Sequence, residues 1–120
     1  MILLSMQIET EHLVLRGSRN FDGYMFGIFL KGQAGESIGY ISLLSNDLAY
    51  EIDEEYQGKG YATEALIAVK NYCMENGISP TVTIDNNGKN PPSRRVAEKA
   101  GFTTEPDSNV YNINEDCRNI

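Results

Sequence analysis

The feature that most constrains the fold is a change in hydrophobic period close to residue 53 of the 120-residue chain. Residues Leu48 to Asp53 alternate apolar and polar side chains, which predicts a strand with one apolar face. From Ala62 to Cys73 the apolar side chains recur at helical spacing, which predicts an amphipathic helix that ends at Asn76-Gly77. The chain therefore contains a strand, a glycine-containing loop and a helix in direct succession.

Further strands are predicted on both sides of this unit, over residues 12–16, 24–30, 37–44, 81–84, 102–104 and 110–113. Gly17 to Gly23 is predicted as a turn-rich link, Lys31 to Glu36 as a hairpin loop, and residues 1–7 as an N-terminal tail. Asn90 followed by Pro91 predicts the start of a second helix. Because hairpins precede the unit and βαβ crossovers follow it, we expect one α+β domain on a mixed sheet over residues 1–120.

The net charge of the chain limits the classes of partner that it can bind. Ten Lys and Arg against 17 Asp and Glu give a net charge of −7. A general nucleic-acid binder needs a basic surface, so that class is excluded. An acidic surface suits cationic partners such as amines, polyamines or basic peptides, although acidity can also serve solubility alone.

The remaining composition indicates a cytoplasmic protein without a membrane partner or a metal. The longest apolar runs are far shorter than the roughly 20 residues of a membrane-spanning helix, and the N-terminus lacks the pattern of a secretory signal. Cys73 and Cys117 are not spaced as a CxxC pair, which indicates reduced thiols. With one histidine, His12, and no cysteine cluster, a structural zinc site is not expected.

The loop between the strand and the helix has the chemistry of an anion site. Gly58 and Gly60 carry no Cβ, and a loop before a helix presents backbone N–H groups at the positive end of the helix dipole. It is not a Walker A loop, because no glycine lies five residues before Gly58. A dinucleotide fingerprint would need a third glycine where Thr63 stands. The alternative is a helix start that binds nothing.

Three stretches resemble one family. The sequence Gln57-Gly-Lys-Gly-Tyr-Ala62 resembles the Gln/Arg-x-x-Gly-x-Gly/Ala signature for acyl-CoA in the GNAT superfamily of N-acetyltransferases. The stretch Asn90 to Phe102 resembles the Asn-x-x-Ser…Glu-Lys-x-Gly-Phe block of the branch that includes the ribosomal-protein alanine N-acetyltransferases. Glu9 to Arg16 is similar to the first strand of that branch, so the resemblance spans residues 9–102.

The resemblance implies a fold and a ligand. The fourth and fifth strands, at about 48–53 and 81–84, are expected to splay apart and to hold acetyl-CoA, a co-substrate, between them, with no metal required. The residues implied in binding it are Ile52, Asp53, Gln57, Gly58, Lys59, Gly60, Tyr61, Ala62, Asn90 and Ser93. Ile52 and Asp53 would pair with the pantetheine arm through backbone groups, and the loop amides would hold the pyrophosphate. Lys59 either adds a charge near a phosphate or is a solvated lysine.

The implied reaction is direct attack of an amine on the thioester. The backbone N–H of Ile52 would stabilise the oxyanion. Glu51 is the candidate base, acting directly or through a water, and its alternative is a surface carboxylate. His12 is interpreted as a partly exposed strand residue, and Cys73 as a core thiol.

Two departures from the family pattern bear on function. Many members place a tyrosine that can protonate the leaving thiolate at the position of Ala97, and Tyr111 is either its substitute or a structural residue. Members usually carry two helices between the first and second strands, but Gly17 to Gly23 is too short to hold them. We therefore expect reduced helical content and an acceptor site that is open or is completed by a second subunit.

The loss of those helices also predicts an uncovered face on the strand Tyr24 to Leu30, with Met25 and Phe29 directed toward solvent. A homodimer would cover this face, and a monomer whose Met1–Met6 segment folds back is the alternative.

The leading hypothesis is an acetyl-CoA-dependent N-acetyltransferase that acts on a primary amine of a small molecule or a protein N-terminus. A non-catalytic CoA-binding module and a purely structural domain are the alternatives.

Overall fold

The computed structural model describes residues 5–20, 23–32, 35–84, 91–104, 108 and 110–113. The described chain forms two α-helices, α1 (Tyr61–Glu75) and α2 (Pro91–Lys99), and a short 3-10 helix over Glu54–Tyr56. Its eight strands are β1 (Ser5–Glu9), β2 (Leu13–Asn20), β3 (Gly23–Leu30), β4 (Gly39–Leu44), β5 (Asp47–Ile52), β6 (Thr81–Thr83), β7 (Phe102–Thr103) and β8 (Val110–Ile113). The predicted α+β class with reduced helical content is confirmed.

All eight strands belong to one mixed sheet in the order β1-β2-β3-β4-β5-β6-β8-β7. Strands β1 to β5 form an antiparallel meander, β6 lies parallel to β5, and β8 and β7 complete the sheet in antiparallel fashion. The parallel pair is connected through α1, because parallel neighbours need a long crossover. The hairpin between β4 and β5 turns through Ser45 and Asn46, whose φ angles of 51° and 66° are those of a two-residue hairpin loop.

Two boundaries predicted near the N-terminus are wrong. Residues 5–7, predicted as part of a tail, belong to β1, while residues 1–4 lie outside the described residues. The stretch predicted as a link is mostly strand, because β2 continues to Asn20, which pairs with Gly23 at the start of β3. Gly17 is there for close packing rather than for a turn. A Cβ at Gly17 would lie 2.3 Å from the carbonyl oxygen of Met25.

Both helices pack on the same face of the sheet. Helix α1 buries Ala65, Leu66, Val69 and Cys73, and it lies across β2 and β5. The ring of Tyr72 on α1 contacts the rings of Tyr24 and Phe26 edge-on, at centroid distances of 5.7 and 6.5 Å. The sheet side chains of this core come from alternate positions of β2 to β5: Leu13, Leu15, Phe26, Ile28, Ile41, Leu43, Leu48 and Ile52.

The opposite face of β2 to β5 has no helix on it within the described residues. Its exposed side chains include Met25, Tyr40, Leu44, Ala49 and Glu51. The burial of β5 alternates accordingly, with Leu48 and Ile52 buried, which confirms the predicted period-two strand. Neither helix of the described chain has the length and apolar character that crossing a bilayer requires.

Strands β5 and β6 separate soon after they meet. Their pairing is confined to Asp47 with Thr81 and Leu48 with Val82, although β5 continues for four more residues to Ile52. Among the described residues, the β6-facing edge of β5 therefore has no strand partner beyond Leu48. This is the splayed arrangement that the resemblance implied.

Candidate functional site

The open edge of β5 presents the backbone of Ile52 to the gap beside β6. Asp53 N–H donates to the carbonyl of Ile38, 2.7 Å away, on the β4 side. Backbone groups alternate in direction along an antiparallel strand, so the N–H of Ile52 points away from β4 and into the gap. The resemblance implies that this N–H stabilises an oxyanion. It also implies that backbone groups of Asp53 pair with the pantetheine arm, but the Asp53 N–H is already bonded to Ile38 and the Asp53 carbonyl accepts from Tyr56 N–H.

The glycine loop follows Ile52 and leads directly into α1. Gly58 and Gly60 have φ angles of 78° and 86°, in the left-handed region that glycine tolerates. A Cβ at either position would meet nothing within 4 Å, so the space above the loop is open. Gly60 is the N-cap of α1 and has no side chain with which to cap the helix. The first-turn N–H groups of α1 lie beside this open space, which is the setting of an anion site.

Gln57 ties this loop to the end of β5, a contact that sequence reasoning missed. Its side-chain Nε2 donates to the carbonyl of Ile52, with 2.8 Å between the atoms. The bond gives a donor to the Ile52 carbonyl, which has no strand partner among the described residues at the open edge, and it connects the end of β5 to the loop. A long amide side chain at the first position of the loop signature was the only hint of this role in the sequence.

The first turn of α1 is also fixed from the other side. Glu64 accepts hydrogen bonds from the Thr10 hydroxyl and from the backbone N–H of His12, 2.7 Å away. The His12 Nδ1 lies 2.8 Å from the second carboxylate oxygen of Glu64. This hydrogen bond raises the pKa of His12. Partial burial alone would raise the pKa of Glu64, but the hydrogen bonds from Thr10 and His12 hold it below its usual value.

The candidate residues on α2 are only partly described. Asn90 lies outside the described residues. Ser93 is half-buried, and its carbonyl accepts a hydrogen bond from the Tyr50 hydroxyl at 3.0 Å. Tyr50 stands on β5 two residues before Ile52, beyond the last pair with β6, so this bond connects the free part of β5 to α2. Burial raises the pKa of Tyr50 to about 12, with a smaller contribution from Tyr111.

Ala97 and Tyr111, the two positions at which the sequence predicts or lacks a general acid, are both buried. Ala97 is fully buried one turn after Ser93, and Tyr111 is 1% exposed. The Tyr111 hydroxyl accepts a hydrogen bond of 3.3 Å from Arg94. Its surroundings are those of a structural tyrosine. Cys73 is likewise buried, and burial raises the pKa of its thiol to about 11. A raised pKa is typical of an unreactive thiol in the core.

The other two candidates, Lys59 and Glu51, have exposed side chains. Lys59 is exposed on the loop. The exposed side chain of Glu51 lies on the helix-free face, opposite Tyr40 in the register. The structure thus brings together Ile52, the loop and the start of α1, but it directs the Glu51 side chain toward solvent. No group of three or more potential metal ligands occurs among the residues described.

A cavity of about 240 Å³ lies beside the end of β5, on the side away from β6. Leu30, Ile38 and Tyr56 supply its apolar walls, and Glu36, Asp53 and Glu55 supply carboxylates. All three carboxylate residues are exposed. The cavity is therefore open to solvent and has a negative field, which attracts cations.

Comparison with known proteins identifies the family. Residues 5–103 match the family described as "Acetyltransferase (GNAT) domain". An acetyltransferase from Agrobacterium tumefaciens str. C58 has a similar structure, with 20% identity, a TM-score of 0.76, and 95% of this chain and 97% of that one covered. A putative ribosomal-protein-serine acetyltransferase from Vibrio cholerae also resembles it, with 20% identity, a TM-score of 0.69 and coverage of 89% and 94%.

A third similar structure is RimL, a ribosomal L7/L12 alpha-N-protein acetyltransferase, in complex with coenzyme A. The identity is 23%, the TM-score is 0.55, and 76% of this chain and 59% of that one are covered. The search of curated proteins finds no match. Because the family match extends over most of the sequence, from β1 to β7, the chain belongs to the acetyltransferase (GNAT) domain family.

Proposed function

We propose that the protein transfers the acetyl group of acetyl-CoA to a primary amine, on a small molecule or on a protein N-terminus. The observation that carries the proposal is the adjacency of the open β5 edge at Ile52 and the glycine loop at the start of α1. One segment, residues 52–62, offers a strand edge for an amide-containing arm and an anion site for a pyrophosphate. The structure of RimL with coenzyme A supports this choice of ligand.

The residues of the gap fit acetyl-CoA and divide its binding between them. The amides from Gln57 to Ala62 hold the pyrophosphate, and Lys59 adds a positive charge. Ile52 pairs with the pantetheine arm, and Ser93 on α2 contacts that arm from the other side, together with Asn90, the residue that precedes α2 in the sequence. When bound, acetyl-CoA supplies a thioester that an amine can attack directly. The Ile52 N–H then donates to the thioester oxygen as negative charge develops there, a fixed dipole that contributes a few kcal/mol.

The proton on the amine decides which acceptors react readily. A lysine-like amine with a pKa of about 10.4 is neutral in roughly one molecule in a thousand at pH 7.4, so it needs a base. An α-amine with a pKa of about 7.7–8.0 is already substantially neutral. Glu51, directly or through a water, is the proposed base for the first class. The carboxylates around the cavity at the end of β5 favour acceptors that are cationic.

Release of the thiolate does not require a protein acid. A thiol with a pKa of about 8.5 leaves readily as a thiolate near neutral pH. The small side chain of Ala97 and the enclosed hydroxyl of Tyr111 are compatible with such a reaction.

A second candidate function is a CoA-binding module that regulates or completes a partner. It is favoured by Ala97, whose side chain carries no acid where many family members have a tyrosine, and by the burial of Tyr111. This candidate predicts binding without turnover.

Two measurements separate the candidates. Thermal unfolding is followed with CoA, with acetyl-CoA and with ATP as a control for generic phosphate binding. Release of CoA is then measured with a peptide α-amine, an Nα-blocked lysine and a polyamine. A shift with both CoA forms together with release on amine addition supports the enzyme. A shift without release from any amine supports the module, and no shift contradicts both.

A further inference from the structure

The turn between β1 and β2, residues 10–12, contacts the start of α1 through one carboxylate. Glu64 is the acidic residue in the first turn of α1. One of its oxygens accepts hydrogen bonds from the Thr10 hydroxyl and from the His12 N–H, and the His12 Nδ1 lies 2.8 Å from the other oxygen. Both carboxylate oxygens are therefore engaged by residues more than 50 positions earlier in the chain.

The β1–β2 turn is itself attached to two strands. The Thr10 hydroxyl also accepts a hydrogen bond of 3.0 Å from the N–H of Leu13, the first residue of β2. Lys31, directly after β3, donates from Nζ to the Thr10 carbonyl at 2.7 Å and from its backbone N–H to the His12 carbonyl at 2.9 Å. Because these bonds attach the turn to the sheet, the contacts of Glu64 hold the first turn of α1 to the sheet as well.

This turn of α1 also contains the backbone donors proposed for the pyrophosphate. The Glu64 N–H makes an α-helical bond to the Gly60 carbonyl at 3.0 Å, whereas the N–H groups of the residues between them have no acceptor within the helix. Glu64 therefore lies one residue beyond those donors. Its negative charge suits a helix start without a ligand, but it opposes an approaching phosphate. A positive charge on His12 cancels that opposition.

We propose that His12 is a positioning residue for acetyl-CoA: through Glu64, its protonated ring holds the first turn of α1 in place and cancels the negative charge beside the pyrophosphate. The inference rests on the proposed function and concerns control of its binding step. Both effects have the same sign, so acetyl-CoA binds more tightly when His12 is protonated. Because the coupling between two bound species is reciprocal, bound acetyl-CoA favours the protonated ring by the same factor.

The groups that face the His12 ring in the described part of the chain determine where it titrates. The hydrogen bond to Glu64 is the largest influence and raises the pKa of His12 above its usual 6.5. Glu11, whose carboxylate lies 3.8 Å from Nε2, raises the pKa further, while desolvation and Lys31 lower it. The ring of Tyr61 on α1 is an aromatic neighbour at a centroid distance of 6.4 Å. The ring therefore loses its positive charge as the pH rises through a value above 6.5.

Nuclear magnetic resonance tests the coupling directly, because His12 is the one histidine of the chain. The nitrogen signals of its ring are followed from pH 5.5 to pH 9, with and without saturating acetyl-CoA. The pKa of His12 is expected to be higher in the complex than in the free protein. Equal pKa values in the two states overturn the proposal.

Calorimetry then measures the affinity for acetyl-CoA at pH 5.5 and at pH 9. The 3′-phosphate of the coenzyme changes charge in this range for every protein, so each variant is compared with the wild type at the same pH. His12→Asn is expected to weaken binding roughly two- to fivefold at pH 5.5 and to have little effect at pH 9. His12→Arg keeps a positive charge at both pH values, and at pH 9 it is expected to bind more tightly than the wild type by a similar factor.

Glu64→Gln tests whether the effect passes through the carboxylate. In this background the gain from His12→Arg at pH 9 is expected to disappear, because Arg then has no negative charge to pair with or to cancel. Glu75→Gln is the matched control, since it makes the same change at the other end of α1 and retains the gain. An equal gain in the Glu64→Gln and wild-type backgrounds overturns the proposal, because the cation then attracts the phosphates directly.

The possible outcomes separate this inference from the proposed function. If the wild type binds no acetyl-CoA at either pH, both are wrong. If the wild type binds acetyl-CoA and His12→Asn weakens it by the same factor at both pH values, the proposed function stands and the role of His12 is overturned. Thermal unfolding confirms that each variant is folded at the temperature of the titrations.

Discussion

Gly60 combines two requirements that no other residue type meets. Its φ of 86° is unfavourable for a side chain, and it borders the open space at the N-terminus of α1. Gly60→Val is therefore expected to abolish CoA binding, because a β-branched side chain fills the place of a phosphate. Calorimetric titration with CoA measures the loss.

Gly32 offers a matched control for this substitution. It has a similar φ of 80° and equally open surroundings, but it lies in the β3–β4 loop. Gly32→Val carries the same local strain and leaves CoA affinity intact. If Gly60→Val remains folded and binds CoA as tightly as the wild type, the pyrophosphate does not bind at this loop.

The His12–Glu64 pair predicts how stability depends on pH. The pKa of His12 is raised above 6.5 in the folded state, so its contribution is full below pH 6.5 and is lost as the pH rises through the folded value. The pKa of Glu64 is lowered from 4.5, so its contribution is present above pH 4.5 and is lost as the pH falls through the folded value. Both contributions are present together between pH 4.5 and 6.5.

His12→Asn removes the first of these contributions while it keeps a polar side chain. Urea unfolding is expected to show a larger deficit relative to wild type at pH 5.5 than at pH 9. Because His12 is exposed, the difference shrinks in high salt. A deficit that is the same at both pH values would show that the imidazolium does not stabilise the fold.

At the scale of single elements, Gly17 and Gly27 show what a glycine within a strand can mean. A Cβ at Gly17 would meet the backbone oxygen of Met25 at 2.3 Å, whereas a Cβ at Gly27 would meet the edge of the Phe29 ring at 3.1 Å. Backbone cannot move aside, but a partly exposed ring can. Gly17→Ala is expected to lower the free energy of unfolding by about 1–3 kcal/mol, and Gly27→Ala by less. Urea unfolding of the two variants compares them, and an equal or smaller loss for Gly17→Ala would contradict the packing.

The same comparison explains what the sequence could and could not predict. The period change at β5 and α1 depends on local patterning, and so the strand, the loop and the helix were predicted close to their observed bounds. The local pattern at Gly17 predicts a turn, whereas its role depends on a carbonyl of the next strand, which no local pattern reveals. The Tyr50 contact is also tertiary, since it joins residues 43 positions apart. The Gln57 contact spans only five positions, but a side-chain amide fits several surroundings equally well, so the sequence does not single out this one.

Tyr50 links two elements that the sheet does not hold together. Tyr50→Phe removes the hydrogen bond to the Ser93 carbonyl and is expected to cost about 0.5–1.5 kcal/mol of stability. Because that bond connects the free part of β5 to α2, the variant also binds CoA more weakly. Tyr40→Phe, on the exposed face, is the control for losing a hydroxyl. If the Tyr50 variant binds CoA with unchanged affinity, the contact does not set the width of the gap.

At the scale of the whole molecule, the net charge of −7 creates a field that acts on every charged reactant. A polycationic acceptor is attracted to it and a neutral one is not. With acetyl-CoA at saturation, so that its own repulsion no longer limits the rate, raising the salt from 20 to 300 mM shortens the Debye length from roughly 20 to 6 Å. The value of kcat/KM for a polyamine is then expected to fall severalfold, while that for a peptide α-amine of no net charge stays nearly constant. The ratio of the two constants across the salt series measures the effect and cancels any general effect of salt on the enzyme. A ratio that does not change with salt would show that the carboxylates beside β5 do not guide the acceptor, and would leave the acidity of the chain with no role beyond solubility.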